Sequence, residues 1–164
     1  MEIKGRRFAR KKEIVNIRKK IEGNFVELAY LVDRKEKVEI AGTSEDFSLV
    51  LIGGIPYFFE KDGDYFPTLK GLLRMGDITN KYVVVDRGAI AFVTNGADIM
   101  RPGVVEMSGD IKNGDFVVIL EEGHRKPIAF GKSLWDYEDF LKKSSGKCIK
   151  NLHYVGDKVW KMEV

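Results

Sequence analysis

The chain has 164 residues, 44% of them hydrophobic and 32% charged, with a single cysteine and a formal net charge of +3. That suffices for one large domain or two small ones, each with a real core. A lone cysteine excludes an internal disulfide and a cysteine-rich zinc site, no apolar run is long enough to span a bilayer, and the basic start lacks the apolar stretch of a signal peptide, so no membrane association and a cytoplasmic setting are expected.

The charge is uneven. Residues 1–20 carry nine Lys and Arg against Glu2 and Glu13, a local balance of +7, so the remaining 144 residues sum to −4. A basic arm on a mildly acidic body is one footprint of a polyanion binder, and also what a solvated helix face looks like. Arg10 to Glu22 is predicted as an amphipathic helix, with Ile14, Ile17 and Ile21 on one stripe, Lys11, Lys12, Arg18 and Lys19 away from it, and Gly23-Asn24 as its stop. Phe25 to Val32 is ambiguous between strand and helix. Val38 to Ala41 reads as a short strand, and Phe47 to Ile52 with Pro56 to Glu60 as a hairpin around Gly53-Gly54. The turn at Lys61-Asp62-Gly63-Asp64 lacks the other ligands of a calcium loop and reads as structural. Thr68 is placed to cap a short helix through Met75.

A boundary near Asn80-Lys81 gives predicted domains of 1–78 and 79–164. Beyond it the text is strand-rich, with turn signals at Asn95-Gly96, Pro102-Gly103, Asn113-Gly114, Gly123 and Gly156-Asp157, the spacing of a small barrel or sandwich. Tyr82 to Val85 and Ala89 to Val93 read as strands, Pro102-Gly103 as a type II turn, and Met100 and Arg101 as the rim of the sheet. Asp136 to Lys143 is predicted helical, with Ser133 and Asp136 as a capping pair and Gly146 at its C-terminal end.

Catalytic motifs are absent. His124 and His153 with Cys148 have no metal-ligand spacing, so neither a metal nor a cofactor is expected. Gly131-Lys132-Ser133 has Lys126 where a phosphate loop needs its first glycine. The acid pairs Glu121-Glu122 and Glu138-Asp139 read as solvated faces, and Cys148, although near Lys147 and Lys150, as an idle thiol. The chain is therefore not read as an enzyme. Cations at Arg87, Arg101, Lys112, Arg125, Lys132, Lys147 and Lys150 fall on turns and strand ends, where phosphates could be met. Tyr154 and Trp160 offer flat faces that can stack on unpaired bases or fill a small core.

The stretch DRGAIAFVTNGADIMRPGV, from Asp86 to Val104, resembles the start of a PUA domain, the RNA-binding barrel shared by pseudouridine synthases and archaeosine transglycosylases. FVVILEE (Phe116 to Glu122), KPIAFGKSL (Lys126 to Leu134) and NLHYVGDKVWKM (Asn151 to Met162) continue the likeness, and GIPYFFEKDGDYFPTLKGLL (Gly54 to Leu73) resembles the pre-PUA domain of MCT-type translation proteins. The resemblance implies an α+β protein, a small α/β pre-PUA domain followed by a PUA-like pseudo-β-barrel. It implies RNA held by Asn95, Gly96, Met100, Arg101, Pro102 and Gly103 on one side and by Lys150, Asn151, His153 and Tyr154 on the other, with Arg87 nearby. It also implies a non-catalytic role in translation, on a tRNA acceptor end or small-subunit rRNA, beside the small ribosomal subunit and a density-regulated-protein-like partner. Two alternatives stand beside it. One is an RNA-targeting subunit of a tRNA- or rRNA-modifying enzyme. The other is a protein-interaction module built on an apolar patch around Tyr57, Phe58, Phe59 and Tyr65. One departure from the family pattern is the segment Glu106 to Asp115, acidic at both ends, which would weaken RNA binding if it flanked the groove.

Overall fold

The computed structural model describes residues 1–32 and 37–164, leaving out the side chains of Val26 and Glu27. The chain divides into two compact units, Met1–Leu72 with Lys161–Val164, and Leu73–Trp160.

The first unit is an antiparallel sheet in sequential order, β1 (Ile3–Phe8), β2 (Val38–Thr43), β3 (Ser48–Ile52), β4 (Ile55–Lys61) and β5 (Asp64–Pro67). The helix α1 (Lys11–Asn24) lies between β1 and a 3₁₀ segment, Val26–Leu31. Ile17 and Ile21 are fully buried and Ile14 half-buried, as their spacing predicts, while Lys11, Lys12, Arg18 and Lys19 are exposed. Two-residue turns close the last two hairpins. Gly53 and Gly54 have φ of 60° and 83°, and Asp62 and Gly63 have 53° and 85°, so each pair takes the doubly left-handed form that matches strand twist. The Thr68 hydroxyl accepts the Gly71 N–H at 2.9 Å, but the helix it caps, α2 (Leu69–Leu72), is a single turn and stops short of Met75.

One strand of this unit has no sequence expectation behind it, and one expectation needs correction. The basic arm begins as β1, paired along β2 with Arg6 opposite Ala41 and Arg7 opposite Ile40. Five of its six residues are exposed, so no apolar alternation announced it. The apolar patch around Tyr57 is not a surface: Phe58 and Phe59 are buried opposite Val50 and Leu49 of β3, and Tyr57 and Tyr65 are half-buried.

The second unit is a six-stranded sheet in the order β7-β11-β10-β9-β6-β8, with β6 (Tyr82–Val85), β7 (Ile99–Met100), β8 (Val104–Met107), β9 (Phe116–Glu121), β10 (Pro127–Ser133) and β11 (Lys147–Tyr154). The strands at its two ends, β7 and β8, are joined by only Arg101–Gly103. Flat, those ends would stand about 24 Å apart, and a link this short reaches about 14 Å, so the sheet must curl on itself. The Asp86 N–H donates to the Gly103 carbonyl at 2.9 Å, which carries the β6–β8 pairing on into the link. Val83, Ile119, Ala129, Phe140, Cys148 and Ile149 fill the interior.

Here too the structure corrects local readings. Ala89 to Val93 is helix, within α3 (Arg87–Val93). Arg101–Gly103 is a 3₁₀ turn, and Gly103 does not take the positive φ that a type II turn needs. The cap of α4 (Tyr137–Lys142) is Asp136, whose N–H donates to the Asp139 carboxylate at 3.0 Å, whereas the Ser133 hydroxyl donates to the Trp135 carbonyl. Gly146 does not end α4. It has φ 109°, lies against the Trp135 ring and accepts the Arg101 N–H through its carbonyl at 2.8 Å. Gly131-Lys132-Ser133 runs inside β10, where a Cβ at Gly131 would stand 2.5 Å from the Lys150 carbonyl oxygen.

Candidate nucleic-acid interface

The helix α3 starts on Asp86, whose Oδ1 accepts the Ala89 N–H at 2.9 Å, and ends at Thr94. The chain then doubles back. The N–H groups of Gly96 and Ala97 donate to the Val93 and Phe92 carbonyls at 3.0 Å each, with Gly96 at φ 93°, and the chain enters β7. β7 is held on β11 by the pairs Ile99–Ile149 and Met100–Lys147. Between α3 and the β7 to Arg101–Gly103 segment lies a cleft of about 420 Å³, lined by Asp86, Gly88, Ala89, Phe92, Val93, Ala97, Asp98, Ile99, Met100, Pro102 and Gly103. Phe92 is 70% exposed and Met100 48%, so large apolar side chains face solvent at its rim. A Cβ on Gly103 would lie 3.3 Å from that of Ala89, so the turn packs on the helix at glycine distance.

The structure sorts the expected site residues into three groups. Met100, Pro102 and Gly103 line the cleft, exposed Asn95 and half-buried Gly96 form the loop beside it, and Arg87 is exposed on the first turn of α3. Lys150 is exposed on β11, opposite Lys132 of β10. The others serve as scaffold. The Arg101 guanidinium donates from Nε to the Phe140 carbonyl at 2.9 Å and from Nη1 to the Val104 carbonyl at 3.0 Å. The Asn151 Nδ2 donates to the Val93 and Ala97 carbonyls, both at 3.0 Å, fastening the loop to β11. His153 is fully buried, with Nδ1 2.7 Å from the Asp157 carboxylate. Burial pushes the Asp157 carboxyl up, and the hydrogen bonds it accepts from His153, Trp160 and Tyr154 more than offset this, leaving it below the usual range. Tyr154 is half-buried, its ring against Gly96.

Phe92, Gly88 and Ala89 were not among the expected residues, because the run holding them reads as strand. The signal that could have found them is Asp86, an N-cap residue directly ahead of the run. None of Glu106 to Asp115 lines the cleft. Glu106 accepts from the Tyr82 hydroxyl at 2.8 Å and from Arg125 at 3.1 Å, and Asp115 pairs with Lys81. Among the described residues no cluster of His, Cys, Asp and Glu could hold a metal ion, and no helix is long and apolar enough to cross a membrane.

A six-stranded sheet closed by a three-residue link, with a capped helix and cleft at the closure, defines the RNA-binding PUA class, and the PUA domain matches residues 81–155. A domain of unknown function, DUF1947, matches residues 5–75. The chain is 44% identical over 160 residues to an uncharacterized protein of Methanocaldococcus jannaschii, covering 98% of each. It is 36% identical to translation machinery-associated protein 20 of Schizosaccharomyces pombe over 119 residues, which is 70% of this chain and 65% of that protein. A solved structure of a hypothetical protein from Pyrococcus horikoshii superposes with a TM-score of 0.86 at 30% identity, covering 96% of this chain and 98% of that one. The chain belongs to the MCT-type translation family, in which a pre-PUA domain precedes a PUA domain.

Proposed function

We propose that the protein is a non-catalytic RNA-binding protein of translation that seats an unpaired RNA end in the cleft between α3 and the Arg101–Gly103 turn. The observation that carries this is the exposed pair Phe92 and Met100 on an apolar cleft at the closure of a PUA barrel. An unpaired base has two apolar faces that stack well on aromatic side chains, and the cations Arg87 and Lys150 stand where a backbone could be met. Close glycine packing lets backbone approach backbone, which suits reading shape more than a base code. The tRNA acceptor end is the favoured substrate and small-subunit rRNA the alternative. The name of the yeast relative supports the setting in translation, with the small ribosomal subunit and a density-regulated-protein-like partner as candidate companions.

The test is binding to intact tRNA and to tRNA trimmed of its single-stranded 3′ end, with wild type and with Phe92→Asp/Met100→Glu. The wild type should prefer the intact end, and the double variant should lose that preference while keeping its fold, since both side chains are exposed. Equal wild-type affinity for both RNAs would remove the cleft from the mechanism.

A further inference from the structure

The nine cations of the first twenty residues are not equivalent. Arg6 pairs with Glu39 at 2.7 Å, Arg7 with Glu13 at 2.7 Å, Lys4 with Glu2 at 2.7 Å and Arg18 with Glu22 at 3.2 Å. Lys20 donates to the Gly63 carbonyl and sits over the Tyr65 ring. Arg10, Lys11, Lys12 and Lys19 remain, all exposed and in no salt bridge among the described residues, with only Arg10 near enough to Glu13 to feel its charge.

An ordinary solvated helix face interleaves acids one turn from its lysines. On α1 the positions one turn from Lys11, Lys12 and Lys19 are mostly Ile14, Val15 and Asn16, and the one acid in reach of Lys19, Glu22, is taken by Arg18. Lys11 and Lys12 also occupy the first turn, the positive end of the helix dipole, where cations are disfavoured. Lys19 lies two turns on, about 11 Å along the axis, on the side away from buried Ile17 and Ile21. Folding alone does not favour this arrangement. A polyanion with regularly spaced charges does, and 45%-exposed Val15 among the lysines adds no charge preference of its own.

We propose that the outer face of α1, through Lys11, Lys12 and Lys19 with Arg10 beside them, is a second RNA contact that grips the phosphate backbone without reading sequence. This rests on the RNA-binding reading of the protein, and adds to the cleft a site on the other unit of the chain.

The test uses the full chain, a blunt RNA duplex and intact and 3′-trimmed tRNA, with affinity followed against salt. Each phosphate left without its cation should flatten the slope of log affinity against log salt by about 0.7 to 0.9, so Lys11→Gln/Lys12→Gln/Lys19→Gln should flatten it by about 2 to 3 on every RNA. The corresponding Lys→Arg triple variant should keep the wild-type slope, and the preference for the intact tRNA end should survive in both. An unchanged slope in the Gln variant overturns the α1 contact while the cleft stands. Failure of the wild type to bind any RNA at low salt overturns both readings.

Discussion

The ring of Tyr154 lies over Gly96 so closely that a Cβ on Gly96 would stand 3.0 Å from the phenol oxygen and 3.1 Å from two ring carbons. Two constraints meet there: the left-handed backbone of the loop, φ 93°, and a half-buried aromatic from the last strand of the barrel. Gly96→Ala should therefore destabilise the unit by about 1–3 kcal/mol, combining the backbone penalty with the displaced ring. Tyr154→Ala in the same chain should recover the steric part and leave the backbone part, a coupling that a double-mutant cycle by denaturant unfolding measures. Strictly additive effects would mean that the ring does not set the glycine requirement.

Arg101 and Lys150 should behave oppositely although both are cations beside the cleft. The Arg101 guanidinium holds the carbonyls of Phe140 and Val104, tying α4 and the closing turn together. Arg101→Gln should lower the thermal midpoint, with a loss of about 2–4 kcal/mol from two charge-assisted bonds, and leave the salt slope of RNA binding near wild type. Exposed Lys150 should do the reverse: Lys150→Gln should leave the midpoint in place and flatten the slope by about 0.7 to 0.9, the share of a single phosphate. Calorimetry and a salt titration on the two single variants separate the roles.

Glu13 titrates far from its ordinary range. The Arg7 guanidinium donates to its carboxylate at 2.7 and 2.8 Å, the Arg10 N–H adds a third bond, and together they hold it down at about 2 against 4.5 for an ordinary glutamate. Since the folded value is the lower one, the stabilisation this group provides is complete above the unfolded value and is lost as pH falls through about 2. NMR titration of Glu13 should show that depressed midpoint in the wild type and a rise toward the ordinary range in Arg7→Ala.

Cys148 should be silent toward thiol reagents in the native protein. It is fully buried, its Sγ donates to the Ile99 carbonyl at 3.3 Å, and burial pushes its thiol up to about 12. Neutral-pH labelling should follow global unfolding and reach full rate only in denaturant. Rapid labelling in native buffer would show that the β7–β11 pairing opens locally.

What could be read ahead of the structure follows from how much of the surroundings each signal needs. The isoleucine stripe of α1 and the glycine turn at Gly53-Gly54 are local, and both are where they were expected. Ala89 to Val93 fails as a pattern because a short apolar run has no visible period, and nothing in it says that the helix buries Val93 and leaves Phe92 exposed. Arg101, Asn151 and His153 have the chemistry of ligand-binding side chains. Their donors nevertheless go to carbonyls and a carboxylate supplied by residues far along the chain or by a turn that forms only in the fold, and no spacing rule carries that information.

The pairing of β7 with β11 also bears on when the cleft comes into being during synthesis. Ile99 has no strand to lie against until Ile149 has been made, fifty residues later. The same last strand brings Asn151 to the Val93 and Ala97 carbonyls and Tyr154 to Gly96. A nascent chain that has emerged only as far as α4 holds partners for β6, β8, β9 and β10 but not the strand on which the β7 wall of its cleft is held. The cleft is thus assembled only when the second unit is nearly complete, so a prematurely terminated product would lack it.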